Sequence, residues 1–171
     1  MIIDLMKERY SVRSYSDQKV EEAKLTSILE AGRVAPTGAN RQAYELLVIQ
    51  SEEGFEKLSQ GAKTFGAPLA ILVCGDRKKA WVRPGGGLDL TEIDSAIVTD
   101  HMMLQATELG RGSVWICMLK PDVLRVALNI PDHLEPLSIL AIGYSDREPL
   151  SKDRHDKLRK ATSELVHFEK F

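Results

Sequence analysis

The chain lacks most of the residue combinations on which enzymatic signatures rest. It has two cysteines, Cys74 and Cys117, each inside an apolar run (Ala70–Cys74 and Val114–Cys117). No disulfide framework or paired-cysteine metal site is expected, and both thiols read as buried and reduced. Its four histidines, His101, His133, His155 and His167, are scattered, with none at the close helical spacing of a zinc site. There is no G-x-S-x-G elbow and no G-x-G-x-x-G after a first strand. Gly85-Gly86-Gly87 is not followed by the Gly-Lys-Ser/Thr of a phosphate loop, so it reads as a flexible rim. A basic excess is missing as well: the formal net charge of −2 argues against a general nucleic-acid binder. No apolar run is long enough to span a bilayer, and the first residues carry no secretory signal, so a cytoplasmic protein without a membrane partner is expected.

What is present suits one domain over residues 1–171, since 43% apolar content supports a core without disulfides or a structural metal. The spacing of Ile2, Ile3, Leu5 and Met6 predicts a short amphipathic helix ahead of Arg9-Tyr10-Ser11-Val12-Arg13. A second helix is expected from about Val20, with an exit at Gly32 and Pro36. Strands are predicted at Glu45–Gln50, Leu69–Cys74, Ser113–Met118 and Leu137–Tyr144. The apolar run at Leu69–Cys74 is typical of a strand buried on both faces. Ser51 followed by Glu52 and Glu53 marks a capped helix to about Gln60, Thr91 to Gly110 is the longest helical stretch, and Pro121 opens another. Strands intermixed with helices give an α/β or α+β domain.

Four features carry chemistry. The first is the Arg9–Arg13 pentad, where two guanidinium groups flank a hydroxyl. Arginine's planar fork matches phosphate oxygens, although a solvated basic turn has the same composition. The second is Ala35–Gln42, a loop of turn formers and neutral hydrogen-bonding side chains that reads equally as a connector. The third and fourth are the isolated Lys63 and the late pair Lys152 and Arg154, which also fits a solvated helix beside Asp153, Asp156 and Lys157. Together they suit an anionic cofactor with an extended polar tail. A cofactor with its own redox chemistry would also account for the missing nucleophile and acid–base pair.

In sequence order, Arg9-Tyr10-Ser11-Val12-Arg13, Ala35–Gln42, Leu109–Ile116 and Ile142-Gly143-Tyr144 resemble the FMN-dependent nitroreductase family over nearly the whole chain. The resemblance implies an α+β fold with a mixed central sheet flanked by helices, and an intertwined homodimer with FMN at the interface. It implies that Arg9 and Ser11, within the pentad that includes Tyr10, hold the phosphate and ribityl end. Arg13 and Lys63 lie near the N1/O2 edge, where a cation stabilises the reduced anionic ring. Gln60 meets the pyrimidine edge, and backbone N–H groups around Cys117 and Met118 face N5. Pro36, Thr37, Gly38 and Asn40 reach in from the partner subunit, Lys152 and Arg154 close the phosphate site, and residues 151–171 form an arm that docks on the partner.

The implied activity is reduction of nitroaromatic, quinone or related small-molecule acceptors with NAD(P)H, by two hydride transfers through flavin N5. The same scaffold also serves narrower reactions (enone reduction, reductive dehalogenation, flavin-consuming chemistry), and a non-catalytic flavin-binding module is the other alternative. Two departures stand out. Ala43-Tyr44 replaces the Pro-Trp that family members often carry, and residues 76–90 are short where many relatives place a helical insertion over the active site.

Overall fold

The computed structural model describes all residues, 1–171. In chain order the elements are α1 (Ile2–Glu8), α2 (Glu22–Arg33), a 3-10 turn (Gly38–Asn40), β1 (Tyr44–Ile49), α3 (Glu52–Ser59), β2 (Leu69–Gly75), α4 (Thr91–Glu108), β3 (Gly112–Ile116), α5 (Pro121–Ala127), β4 (Glu135–Gly143), α6 (Arg154–Leu158) and α7 (Thr162–Leu165). Local signals act as read. Ser51 accepts a hydrogen bond from the Gly54 N–H at 3.1 Å and starts α3. Pro121 occupies the first turn of α5, where its missing N–H costs nothing.

The four strands form one sheet in the order β1-β2-β4-β3. All three ladders are antiparallel. β2 and β3 run the same way but are not neighbours, because β4 enters between them after α4 and α5 have been laid down. The mixed character expected of the sheet is confined to one parallel bridge, Ser11 to Ser113, which lays the pentad along β3. That pairing is fixed by the Val12 N–H, which donates to the Ser113 carbonyl at 2.9 Å.

Alternation along the strands splits the core in two. Ala70, Leu72, Cys74, Ile139 and Ala141 face α3 and α5, where Leu58 and Leu124 meet them. Leu69, Ile71, Val73, Leu140 and Ile142 face α2 and α4, against Ile28, Val98 and Met102. Both faces are therefore covered, and β2 is buried at every residue. Each fully buried side chain of this size contributes about 1.5–3 kcal/mol. α1 buries none of its residues within the chain. From Asp146 onward nearly every residue is exposed. No helix is long and apolar enough to cross a membrane.

Candidate functional site

The bridge to β3 makes the pentad extended, and extension sorts its side chains by alternation. Val12 is buried in the core, whereas Ser11 and Arg13 are exposed on the opposite side. Tyr15 anchors the segment: its hydroxyl donates to the Val12 carbonyl at 2.9 Å, and burial raises its pKa. Arg9, Ser11 and Arg13 thus share one side by backbone geometry.

Arg154 closes on the first of these residues. Its Nη2 donates to the Arg9 carbonyl at 2.6 Å, and Nη1 donates to the Ser151 carbonyl at 2.8 Å. The Arg9 guanidinium has its pKa lowered, first by burial and then by the charges of Arg154 and Arg159. Three positive groups therefore act on one another, with the charge of Asp100 a smaller opposing influence on Arg9 and no ion pair formed by any of the three. Lys152 is paired with Glu8, the neighbour of Arg9, at 2.5 Å.

At the other end of the pentad the structure brings Arg13 and Lys63 together over one ring. The Arg13 guanidinium lies 5.9 Å and the Lys63 ammonium 5.3 Å from the Phe65 centroid. Phe65 adopts a left-handed φ of 60°. Sequence reasoning passed over this residue, although the Phe65-Gly66-Ala67-Pro68 run of turn formers was the available signal. Gln60, at the end of α3, begins a segment held to the chain beyond β3 by a bridge between Ala62 and Leu119 and by the Lys120 N–H donating to the Gly61 carbonyl at 2.8 Å.

Cys117 and Met118 lie between that bridge and the end of β3. Cys117 is exposed, against the expectation of a buried thiol, and Met118 is 89% exposed. The apolar run continues past Ile116, but the ladder does not, so neither side chain is enclosed by sheet neighbours. The hydrogen-bond network gives no acceptor to the N–H of Cys117 or Met118. Cys74 is buried as expected, and burial pushes its thiol up to about 11.

The polar loop is held in an uncommon conformation. Ala39, Asn40 and Gln42 have φ of 48°, 54° and 50°. Each such residue costs energy that the surroundings must supply, and strain of this kind concentrates at functional sites. The loop is fixed by Asp94, 1% exposed, whose Oδ1 accepts from the Gly38 N–H at 2.9 Å, and by the Gln42 N–H donating to Thr37 Oγ1 at 3.0 Å. No hydrogen bond or ion pair links Pro36, Thr37, Gly38 or Asn40 to Arg9, Arg13, Lys63 or Arg154 of the same chain. Asp94 is a second residue missed in the sequence, hidden as a polar position in the most apolar helix.

None of Arg9, Arg13, Lys63 and Arg154 takes part in an ion pair. Unpaired cations in line, with a hydroxyl between them and two free backbone N–H groups at one end, fit an elongated ligand with an anionic tail and hydrogen-bond acceptors on its head. FMN has that form.

Comparison with known proteins gives the same answer. The model of the nitroreductase family matches residues 6–63 and 55–144. A nitroreductase family protein from Clostridium difficile 630 superposes with a TM-score of 0.96 at 54% identity, over 99% of this chain and 98% of that one. An FMN-dependent nitroreductase from Clostridium difficile R20291 superposes with a TM-score of 0.84 at 31% identity, over 99% of both chains. The FMN reductase [NAD(P)H] of Bacillus subtilis is 28% identical over 172 residues, which span 90% of this chain and 69% of that protein. The chain belongs to the nitroreductase family.

Proposed function

We propose that this protein is an NAD(P)H-dependent FMN oxidoreductase that works as a homodimer and reduces nitroaromatic, quinone or related small-molecule acceptors. The observation that carries the reading is the line of cations without carboxylate partners along one side of the pentad. Arg9 and Arg154 hold the phosphate, with Ser11 beside it, and the Tyr10 ring stiffens the segment by packing into the core. Lys152, through its pair with Glu8, fixes the end of α1 next to Arg9. Arg13 and Lys63 place two positive charges at the ring end, where negative charge accumulates on reduction. Gln60 serves the pyrimidine edge, and the N–H groups of Cys117 and Met118 are free to donate near N5. Held by these residues, FMN would supply the two-electron chemistry that links NAD(P)H oxidation to reduction of the acceptor. The chain supplies binding, orientation and charge, and no side chain acts as an obligatory acid or base.

The homodimer is supported by the strained loop, whose Pro36, Thr37, Gly38 and Asn40 make no hydrogen bond to Arg9, Arg13, Lys63 or Arg154 of their own chain. It is supported also by the groove of about 770 Å³ between α1, α2 and α4, lined by Ile2, Leu5, Met6, Val34 and Leu104. The names of the relatives described above support the choice of FMN and NAD(P)H.

The test is direct. The purified protein is expected to be yellow, to oxidise NADH or NADPH in the presence of a nitroaromatic or quinone, and to lose its flavin in an Arg9→Ala/Arg154→Ala variant. A colourless protein that takes up no added FMN sinks the reading. A flavin-loaded protein that neither nicotinamide reduces sinks the enzymatic part alone.

A further inference from the structure

A separate cavity of about 550 Å³ opens behind the pentad. Tyr10 lines it, whereas Arg9, Ser11 and Arg13 do not, as alternation along the extended segment requires. Its walls carry Arg111 from the α4–β3 turn, Tyr144 and Ser145 from the end of β4, and Arg147 and Lys152 from the segment beyond.

Arg111 is unusually placed. Its guanidinium carbon stacks 3.3 Å from the centre of the Tyr144 ring, and Nε donates to the Leu109 carbonyl at 3.1 Å. Nη1 is shielded from solvent and has no partner, and burial pushes the pKa of the group down. Glu21, the acid nearest in charge to it, is already engaged by Lys24 at 2.9 Å and by the Tyr144 hydroxyl. Arg147 forms no ion pair either; only its backbone is used, the N–H donating to Ser145 Oγ at 3.1 Å and the carbonyl accepting from the same Oγ at 3.0 Å. The Tyr10 hydroxyl donates to the same Ser145 Oγ at 3.2 Å. Lys152 and Glu8, both on the wall, cancel each other.

The cavity thus holds two guanidinium groups without an ion-pair partner, one of them clamped on an aromatic ring with a donor left over. A carboxylate would balance one. A phosphate monoester, with a charge of about −1.5 to −2 near neutral pH, balances both and accepts from each fork. The volume lies within the range of small-molecule sites, about 300–1,000 Å³, leaving room for an organic portion. We propose that this cavity is a second anion site, distinct from the flavin site, that takes the phosphate group of a small phosphorylated metabolite.

The test is calorimetric titration of the FMN-saturated protein with inorganic phosphate and, in parallel, with glycerol 2-phosphate, against chloride at equal ionic strength. Saturable binding is expected, weakened about tenfold, the equivalent of roughly 1.4 kcal/mol, in Arg147→Gln. That side chain is exposed and makes no contact needed for folding. Arg111→Lys, which keeps the charge but loses the fork, is expected to weaken binding as well, and Arg83→Gln, on the distant 76–90 loop, to leave it unchanged. Tighter binding of the ester than of phosphate identifies a ligand with an organic portion; equal binding identifies phosphate itself. The proposal is overturned by the absence of saturable binding, or by binding that survives both Arg147→Gln and Arg111→Lys. If the protein takes no FMN, the same titration still separates the sites, because phosphate lodged in the flavin site is displaced by Arg9→Ala and not by Arg147→Gln.

Discussion

Arg9 and Arg13 stand on the same side of one extended segment, yet their surroundings assign them different work. Arg9 is half-buried beside Arg154 and Arg159, a setting that disfavours its charge until an anion arrives. Replacing it with alanine removes charge-assisted bonds worth about 1.5–3 kcal/mol, so FMN affinity is expected to fall roughly ten- to a hundredfold with the flavin potential little changed. Arg13 is exposed above Phe65 with Lys63 across the ring. Its loss is expected to lower the two-electron potential, by about 30 mV for each 1.4 kcal/mol of stabilisation removed from the reduced ring. Equilibrium dialysis and a redox titration measure the two effects; a potential that moves equally in both variants would refute the division. The cysteines give a second prediction at this scale. A thiol reagent should label Cys117 readily and Cys74 only on unfolding, and added FMN should protect Cys117. The Cys74 thiol stays protonated to about 11 when folded, against an ordinary value of 9.0. The native state therefore binds more protons than the unfolded one across that interval. Stability should fall as pH rises from about 9 to about 11, by at most about 1.4 kcal/mol per pH unit from this group, with no pH dependence from it below that window.

At the scale of elements, packing tolerates little addition where β2 meets α4. A methyl group on Gly75 would lie within 2.2 Å of Thr91 Cγ2 and 2.8 Å of Leu137 Cδ1. Gly75→Ala is expected to destabilise by about 1–3 kcal/mol through overpacking. Each kcal/mol should lower Tm by about 2–4 °C in a chain of this size. Gly86→Ala, whose nearest neighbour is the Arg83 side chain at 3.4 Å, is the matched control and should fall within about 0.5 kcal/mol of the parent. Differential scanning calorimetry reads both. These contacts also mark how far the sequence could be read. The run Leu69–Cys74 announced a strand buried on both faces, because its six apolar positions leave no polar alternation. Ser51 announced a helix start through its side-chain oxygen. The insertion of β4 between β2 and β3 had no local signal, since strand order is decided by which apolar faces meet after the helices are laid down. Cys117 was misjudged for a related reason: apolarity persists for two residues after the hydrogen-bonded ladder has stopped. At the site, the pentad and Lys63 were visible as charges in sequence. Their meeting over Phe65 was not, because it depends on a left-handed turn that brings the end of α3 beside the extended N-terminal segment.

For the whole molecule, the chain leaves more apolar surface open than its own fold can cover. Ile2 is 67% exposed on α1, and Phe168 is 83% exposed on an arm whose side chains touch the body mainly through Lys152 with Glu8, Arg154 with the Arg9 carbonyl and His155 with the Lys7 carbonyl. A sequence holds no record of a second copy of itself, so these faces read as amphipathic without revealing what covers them. In the proposed homodimer the partner covers them, and its strained loop completes the flavin site. Dimerisation and flavin binding are then linked: whatever weakens one weakens the other, since free energy of association is shared between the two equilibria. A Leu165→Ser/Val166→Ser/Phe168→Ser variant tests this without touching Arg9, Arg13, Lys63 or Arg154. Sedimentation is expected to show a shift toward monomer at micromolar concentration, with FMN released in proportion to the monomer formed and regained as the protein is concentrated. Flavin absorbance of the sedimenting species reads both at once. A monomer that keeps its FMN and turns over at the parental rate would show that each chain builds a whole site alone, and the loop of Pro36 to Asn40 would then owe its strain to something other than a neighbouring flavin.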